Sequence, residues 1–249
     1  IVGNGVSRDE YREVPRSEID SLPTERTPEL DADARRAVET IRRALEAMLG
    51  VVVANEDEWG RLDAVAGDGD HGVGMARGAH GAVQGAAECD GGPRSVLQAA
   101  ADAFADRAGG SSGALWGAFL GGVAALLPDD RCPDDGEVSA AMTAGADALQ
   151  RLGKCEIGDK TMYDALRPFT DELAGGVAAG QKVGESWRAA ASVASARSAA
   201  TADLMPLLGR ARPLGKRSLG TPDPGATSLA ACLEAVAPVV ADALGESEE

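Results

Sequence analysis

The first regular pattern of hydrophobic positions is a helical one. Val38, Ile41, Leu45 and Met48 recur at intervals of three or four residues, which places them on one face of a helix that we expect to end at Gly50 or just after. Similar stretches follow at about residues 72–88, 94–108, 113–127, 137–152, 161–178, 184–204 and 226–244. Since no convincing strand-like alternation occurs, the pattern predicts an all-α protein with eight helices in one domain.

The N-terminal stretch has a different character. Residues 1–30 are charged, weakly periodic and interrupted by Pro15, Pro23 and Pro28. We therefore expect residues 1–30 to be a tail or linker and residues 31–249 to form the helical domain.

Composition and charge restrict the partners of the chain. Its 249 residues are 44% hydrophobic and 26% charged, as in a soluble globular protein, but only 3% aromatic, so small side chains must fill the core. The net charge of −16 argues against nucleic acid and anionic membranes as partners. No apolar run approaches a membrane span, no signal-peptide pattern opens the sequence, and the four cysteines lie far apart. These features predict a reduced, cytoplasmic protein.

An acidic, glycine-rich segment is the strongest chemical signal. Asp63, Asp68 and Asp70 fall within eight residues, and oxygen ligands of this kind suit Mg²⁺, Ca²⁺ or Mn²⁺. An EF-hand is excluded because its twelfth position, counted from Asp63, is Gly74 and not glutamate. Two interpretations remain at this point: a cation site, or an acidic turn whose aspartates cap the next helix.

Three further segments suit phosphate binding. His71 follows the acidic segment and can donate to a phosphate oxygen, although a lone histidine is more often structural. Gly109-Gly-Ser-Ser-Gly113 precedes a helix, where backbone N–H groups and the hydroxyls of Ser111 and Ser112 can hold phosphate; the alternative is a turn with a serine N-cap. A long late loop is rich in cations, with Arg210, Arg212, Lys216 and Arg217.

A fourth segment, Gly158-Asp-Lys-Thr-Met162, opens another helix. Asp159 or Thr161 would cap that helix, and capping alone is a sufficient explanation of this segment.

Together these segments resemble the dihydroxyacetone kinase family. Gly67-Asp-Gly-Asp-His-Gly72, the Gly109 and Gly158 segments and Asp223-Pro-Gly-Ala-Thr-Ser228 occur in the order found in its nucleotide-binding L subunit or L domain. The resemblance covers about residues 35–244. It implies a barrel of eight antiparallel helices with ADP or ATP bound in loops at one end.

The resemblance also implies roles for individual residues. Asp63, Asp68 and Asp70 match aspartates that hold two Mg²⁺ ions, and the adenine side of the pocket would lie near Gly153 and Met162. The positions that match the remaining nucleotide contacts are His71, Gly72, Val73, Gly74, Ser111, Ser112, Arg210, Asp223, Pro224 and Gly225. One departure is Thr221-Pro222, where the family usually has His-Gln, so the late loop is expected to differ in shape.

The implied activity is phosphoryl transfer to dihydroxyacetone or a related short ketose. The ketose would be bound by a separate K subunit or domain, and the phosphoryl donor would be ATP or a phosphohistidine protein of the sugar phosphotransferase system. The alternatives are a nucleotide-binding regulatory module and the L domain of a kinase for erythrulose or a fatty acid. The sequence leaves the donor, the ketose and the oligomeric state open, a homodimer included.

Overall fold

Eight long helices make up most of the structure. The computed structural model describes residues 30–209, 212 and 215–243. The helices are α1 (Ala32–Asp63), α2 (His71–Glu88), α3 (Pro93–Ala108), α4 (Gly110–Leu126), α5 (Asp135–Gly153), α6 (Tyr163–Ala178), α7 (Val183–Ala200) and α8 (Pro224–Ala243). A 3₁₀ turn, Thr201–Asp203, and a short helix, Gly215–Ser218, lie between α7 and α8. The described residues contain no strand, which confirms the all-α prediction.

The helices form a closed ring. Each packs against the next along the chain, and α8 packs against both α7 and α1. Short connections make the successive helices from α1 to α7 antiparallel, and α8 closes the ring after a longer connection, in agreement with the predicted barrel of eight antiparallel helices.

The first helix is longer than predicted, because it continues through Gly50 to Asp63. Gly50 is exposed, and one exposed glycine costs a helix only about 1 kcal/mol. Beyond it the hydrophobic stripe continues with the buried residues Val52 and Trp59. Burial of these two side chains outweighs the weak helix propensity of glycine.

The core is built from small and apolar side chains, as the composition predicts. Helices α2 and α3 approach so closely that a Cβ on Gly78 would lie 2.6 Å from the Phe104 ring. The Phe104 and Trp116 rings stack with centroids 5.4 Å apart, and Phe119 meets Trp116 edge to face with centroids 5.9 Å apart. A partly open apolar cavity of about 190 Å³ lies between the helices, and α1, α4, α5 and α8 contribute most of its lining.

Alternation of the helices divides the loops between two ends. The connections that follow α1, α3, α5 and α7 lie at one end, which we call the motif end, and the others lie at the opposite end. The motif-end connections span residues 64–70, 109, 154–162 and 201–223. All four sequence motifs therefore fall at the same end of the barrel.

Helix α8 is the one helix among residues 30–209 and 215–243 that is long and apolar enough to cross a membrane. About 56% of its apolar window is buried against the rest of the barrel. Core helices of this kind pass the same test of length and composition, so α8 is weak support for a membrane span.

Candidate functional site

The three aspartates of the acidic segment converge at the junction of α1 and α2. Asp63 is the last residue of α1, Asp70 precedes α2, and Asp68 lies in the loop between them. One oxygen from each carboxylate lies within 4.8 Å of the others. The backbone N–H of Gly69, in left-handed conformation at φ +80°, donates to Asp63 Oδ2 at 2.8 Å and folds the loop back on α1. A set of three carboxylates fits a hard cation such as Mg²⁺.

The interpretation that these aspartates only cap the next helix finds no support at Asp70. Its side chain occupies the N-cap position of α2 but makes no capping hydrogen bond. Asp63 is engaged with the loop and with no first-turn N–H of α2. The geometry therefore favours the cation-site hypothesis.

Two helices that begin at the motif end have no side-chain cap. No side chain accepts from the first turn of α2 or α4, and neither turn contains an acidic residue. At the opposite end, carboxylates bond to the first turns of three helices: Asp31 for α1, Asp129 for α3 and Asp134 for α5. Since uncapped helix starts attract anions, the starts of α2 and α4 suit phosphate, although α8 at the same end is capped by Asp223 and α7 at the opposite end has no side-chain cap.

The glycine-rich segment forms the start of α4. Gly109 and Gly110 both adopt left-handed backbone, at φ +63° and +60°, and a Cβ at either position would meet nothing within 4 Å. Their conformation, and not crowding, is what requires glycine. Ser111 and Ser112 lie inside the first turn, and the N-cap position is Gly109, so the serine N-cap alternative is wrong.

His71 lies deeper than its position in the sequence indicates. It is buried, and its Nε2 lies 2.9 Å from Ser228 Oγ. The same hydroxyl lies 3.1 Å from the carbonyl oxygen of Gly225, within hydrogen-bond distance of both groups. His71 thereby joins the start of α2 to the start of α8. Gly72, Val73 and Gly74 complete the first turn of α2 beside it.

The proposed adenine-side residues lie where α5 ends and α6 begins. Gly153 is the last residue of α5, and a Cβ there would lie 3.1 Å from the Leu115 side chain of α4. Met162 is buried immediately before α6, and a Cβ on Gly225 would lie 3.4 Å from its own Cβ. Met162 is therefore in contact with the Asp223-Pro-Gly turn, whereas Gly153 lies on the α4 side of the same end.

The Asp223-Pro-Gly turn begins α8. Pro224 is its first residue, where the missing N–H is not needed. Asp223 Oδ1 accepts the N–H of Ala226 at 2.7 Å and caps the helix. Burial raises the pKa of Asp223 to about 7, although the hydrogen bond from Ala226 acts in the opposite direction.

A buried acid in the first turn of α6, which sequence reasoning missed, holds the connection that precedes this helix. Asp164 is buried and accepts the N–H groups of Gly158 at 2.6 Å and Thr161 at 2.7 Å. Of the predicted caps, Thr161 Oγ1 accepts the N–H of Tyr163 at 3.2 Å, whereas Asp159 bonds to the N–H of Glu156. No sequence pattern distinguishes Asp164 from other acids in a first turn.

Arg210, predicted to contact phosphate from the late loop, lies outside the described residues. The described part of that loop includes the short helix Gly215–Ser218.

Comparison with known proteins gives relatives along most of the chain. The D-erythrulose kinase of Mycolicibacterium smegmatis is 48% identical over 90% of this chain and 40% of its own length. The L-erythrulose kinase of Pectobacterium atrosepticum is 44% identical over 86% of this chain and 37% of its own length. The chain thus spans about 40% of these kinases.

A smaller relative and a solved structure extend the comparison. The ADP-binding subunit of the PTS-dependent dihydroxyacetone kinase of Lactococcus lactis is 30% identical over 72% of this chain and 86% of that subunit. The crystal structure of the dihydroxyacetone kinase of C. freundii, in complex with AMP-PNP and Mg²⁺, shares the fold. Its TM-score is 0.59 at 22% identity, over 92% of this chain and 38% of that one. The family model described as the DAK2 domain matches residues 65–238. The chain therefore belongs to the dihydroxyacetone kinase family, as a domain of the nucleotide-binding L type.

Proposed function

We propose that this chain is the nucleotide-binding, phosphoryl-transferring unit of a kinase for a short ketose. The observation that carries the proposal is the convergence of Asp63, Asp68 and Asp70 beside two uncapped helix starts at one end of the barrel. Carboxylates repel a polyphosphate, and helix starts attract it. A site that contains both suits a nucleotide only together with divalent cations. The C. freundii kinase with AMP-PNP and Mg²⁺ supports this choice of ligands.

The residues of the proposed site would have different roles in phosphoryl transfer. The three aspartates would hold two Mg²⁺ ions, which supply positive charge where negative charge spreads over the phosphoryl oxygens. Ser111, Ser112 and the first-turn N–H groups of α2 would orient the phosphates, and Arg210 would add a cationic contact. Transfer depends mainly on such positioning and electrostatic stabilisation. No general base is proposed within this chain.

The acceptor is proposed to bind elsewhere. Since this chain spans about 40% of the erythrulose kinases it resembles, a separate K subunit or domain would present the ketose at the motif end. Identities of 44–48% to erythrulose kinases, against 30% to the dihydroxyacetone kinase subunit, favour an erythrulose-type ketose. The donor would be exchangeable ATP, as in a single-chain kinase, with a phosphohistidine protein as the alternative.

Calorimetry with ADP in the presence of Mg²⁺ and then of EDTA tests the metal-dependent site. We expect tight binding with Mg²⁺ and almost none with EDTA, because ADP without cations meets three carboxylates. If ADP binds equally well with Mg²⁺ and with EDTA, the proposal that a divalent cation is part of the site is refuted. Mass spectrometry of small molecules released on denaturation tests the donor: retained ADP supports the phosphohistidine protein, and its absence supports exchangeable ATP.

A matched pair of variants locates the site. Asp68→Asn removes one charge from the cluster, whereas Asp57→Asn removes one from an exposed position on α1. We expect Asp68→Asn to lower Mg²⁺-dependent ADP affinity at least about tenfold and Asp57→Asn to leave it unchanged. Helical circular dichroism should stay the same in both, since Asp68 lies in a loop. An equal loss in both variants would indicate a diffuse effect of surface charge.

A further inference from the structure

Lys160 is a buried cation at the motif end. It is 5% exposed and adopts left-handed backbone at φ +62°, which is uncommon for a residue other than glycine. Burial lowers the pKa of its ammonium group, while the charges of Asp223 and Asp203 oppose that change. An ammonium group is buried at a high free-energy cost unless hydrogen bonds and opposite charges compensate, so its partners indicate what it does.

The two partners of the ammonium group lie far apart in sequence. Nζ donates to the carbonyl of Leu204 at 3.1 Å and to the carbonyl of Ser218 at 2.7 Å. Leu204 directly follows the 3₁₀ turn, and Ser218 ends the short helix that precedes α8. One side chain from the α5–α6 connection thus binds both the beginning and the end of the α7–α8 connection.

Two backbone bonds act at the same place. The N–H of Gly220 donates to the carbonyl of Ala202 at 2.9 Å, and the N–H of Leu207 donates to the carbonyl of Asp159 at 3.1 Å. We call the region formed by these two bonds and the two Lys160 bonds the neck. Of the four bonds, the one between Gly220 and Ala202 lies within the connection, and the other three attach the connection to residues 159 and 160.

The neck adjoins residues of the proposed nucleotide site on both sides. On one side, Lys160 is two positions from Met162. On the other, the N–H of Asp223 donates to Thr201 Oγ1 at 2.8 Å, directly before Ala202. Met162 and Gly225 lie side by side, since a Cβ added to Gly225 would be 3.4 Å from the Cβ of Met162. A change at Lys160 would therefore alter how the Met162 side of the site meets the Asp223-Pro-Gly turn.

We propose that Lys160 is a positioning residue, which holds the neck closed and thereby fixes the Asp223-Pro-Gly turn against Met162 for nucleotide binding. The neck follows from the contacts alone, and its consequence for nucleotide binding rests on the proposed function. Lys160 does not touch the nucleotide in this proposal. Its effect passes through Leu204 and Ser218.

The test compares two lysines of the same loop. Lys160→Met keeps the length of the side chain and removes every donor. Lys154→Met is the matched control, because Lys154 also has left-handed backbone, at φ +49°, but its side chain is exposed. Hydrogen exchange of the nucleotide-free chain, followed at the amides of Leu207 and Gly220, reports on the neck. Calorimetry with ADP and Mg²⁺ reports on the site.

We expect Lys160→Met to speed exchange at both amides at least tenfold and to weaken ADP binding at least tenfold, and Lys154→Met to change neither. If the amides of Leu207 and Gly220 exchange at the same rate in Lys160→Met as in the unmodified chain, Lys160 does not hold the neck closed and the proposal is refuted. Faster exchange with normal ADP affinity would show that Lys160 is structural only and would overturn its positioning role. Absence of ADP binding in the unmodified chain would instead refute the proposed function, and exchange would still decide on the neck. If Lys160→Met does not fold, Lys160→Gln, which keeps a neutral donor, provides the same comparison.

Discussion

Gly72 lies where the start of α2 crosses α1, and its replacement by alanine tests how the acidic cluster is held. A Cβ at this position would lie 1.9 Å from the carbonyl oxygen of Glu56 and 2.8 Å from its carbonyl carbon. Real Cβ atoms essentially never approach another atom within 3.0 Å, so the helices must separate by about 1 Å. The obstacle is the backbone of α1, which cannot rotate away as a side chain does.

The expected loss of stability follows from two opposing effects. Forcing a methyl group into a well-packed contact costs about 1–3 kcal/mol. Alanine regains roughly 0.5–1 kcal/mol over glycine through its better helix propensity. We therefore expect Gly72→Ala to destabilise the nucleotide-free chain by about 1–2 kcal/mol. Because the shifted turn follows Asp70 directly, Mg²⁺-dependent ADP binding should weaken as well.

Gly74→Ala is the control, two positions further along the same turn. The nearest atom to its added Cβ is the carbonyl oxygen of Ala108 at 3.8 Å, an ordinary contact, so only the propensity gain of roughly 0.5–1 kcal/mol remains. Urea unfolding without nucleotide measures both variants. If Gly72→Ala is as stable as the unmodified chain, or if the two variants change stability alike, the close crossing of α1 and α2 is refuted.

Two further predictions concern the α7–α8 connection and the turn that follows it. Because the pKa of Asp223 is raised from 3.8 to about 7, the folded chain keeps the proton over a range where the unfolded chain has lost it, so stability should fall as the pH rises through that range. Asp223→Asn should remove roughly 2–4 kcal/mol of that decline, as measured by urea unfolding at pH 4 to 8; an unchanged pH profile would contradict the prediction. Arg210→Ala should weaken ADP binding by roughly 1.5–3 kcal/mol if it makes a charged hydrogen bond to phosphate, with Arg212→Ala as control. If both variants lose ADP affinity equally and the loss disappears at high salt, Arg210 makes no specific contact and the loop acts only as a diffuse cationic patch.

Sequence periodicity predicts the helices well because nearly every helix has a continuous buried stripe. The exception, the end of α1, shows the limit of glycine as a stop signal. Gly50 lies on the exposed side of the helix, and Val52 and Trp59 supply the burial that carries the helix on to Asp63. Periodicity does not indicate which helices become neighbours. The closing contact between α8 and α1 was expected only from the resemblance to a family of barrels.

In the candidate site, too, the sequence indicates some of the residues and only the structure shows the others. The three aspartates could be singled out from the sequence because they lie close together between glycines, although the sequence left a capping turn as the alternative, and the structure brings them together. Lys160 and Asp164 are not readable, since their importance comes from burial and from partners in another connection or turn. The sequence places Lys160 in the segment Gly158-Asp-Lys-Thr-Met162, for which capping is a sufficient explanation, and Asp164 in the first turn of the helix that follows. Only the fold shows that Lys160 is buried against the α7–α8 connection.

The antiparallel ring shows how an acidic chain could bind an anion at one end, as the proposed function requires. Every helix with an even number begins at the motif end, so four helix starts face the same region. At the opposite end, α1, α3 and α5 begin with carboxylates bonded to their first turns, which satisfy those N–H groups. At the motif end α2 and α4 lack such caps, and the nearby carboxylates gather between α1 and α2. Asp31, Asp129 and Asp134 cap helices at the opposite end, whereas Asp63, Asp68 and Asp70 cluster at the motif end, where Asp223 also caps α8. Under the proposed function, a cation would join the clustered carboxylates to an anion that the helix starts attract.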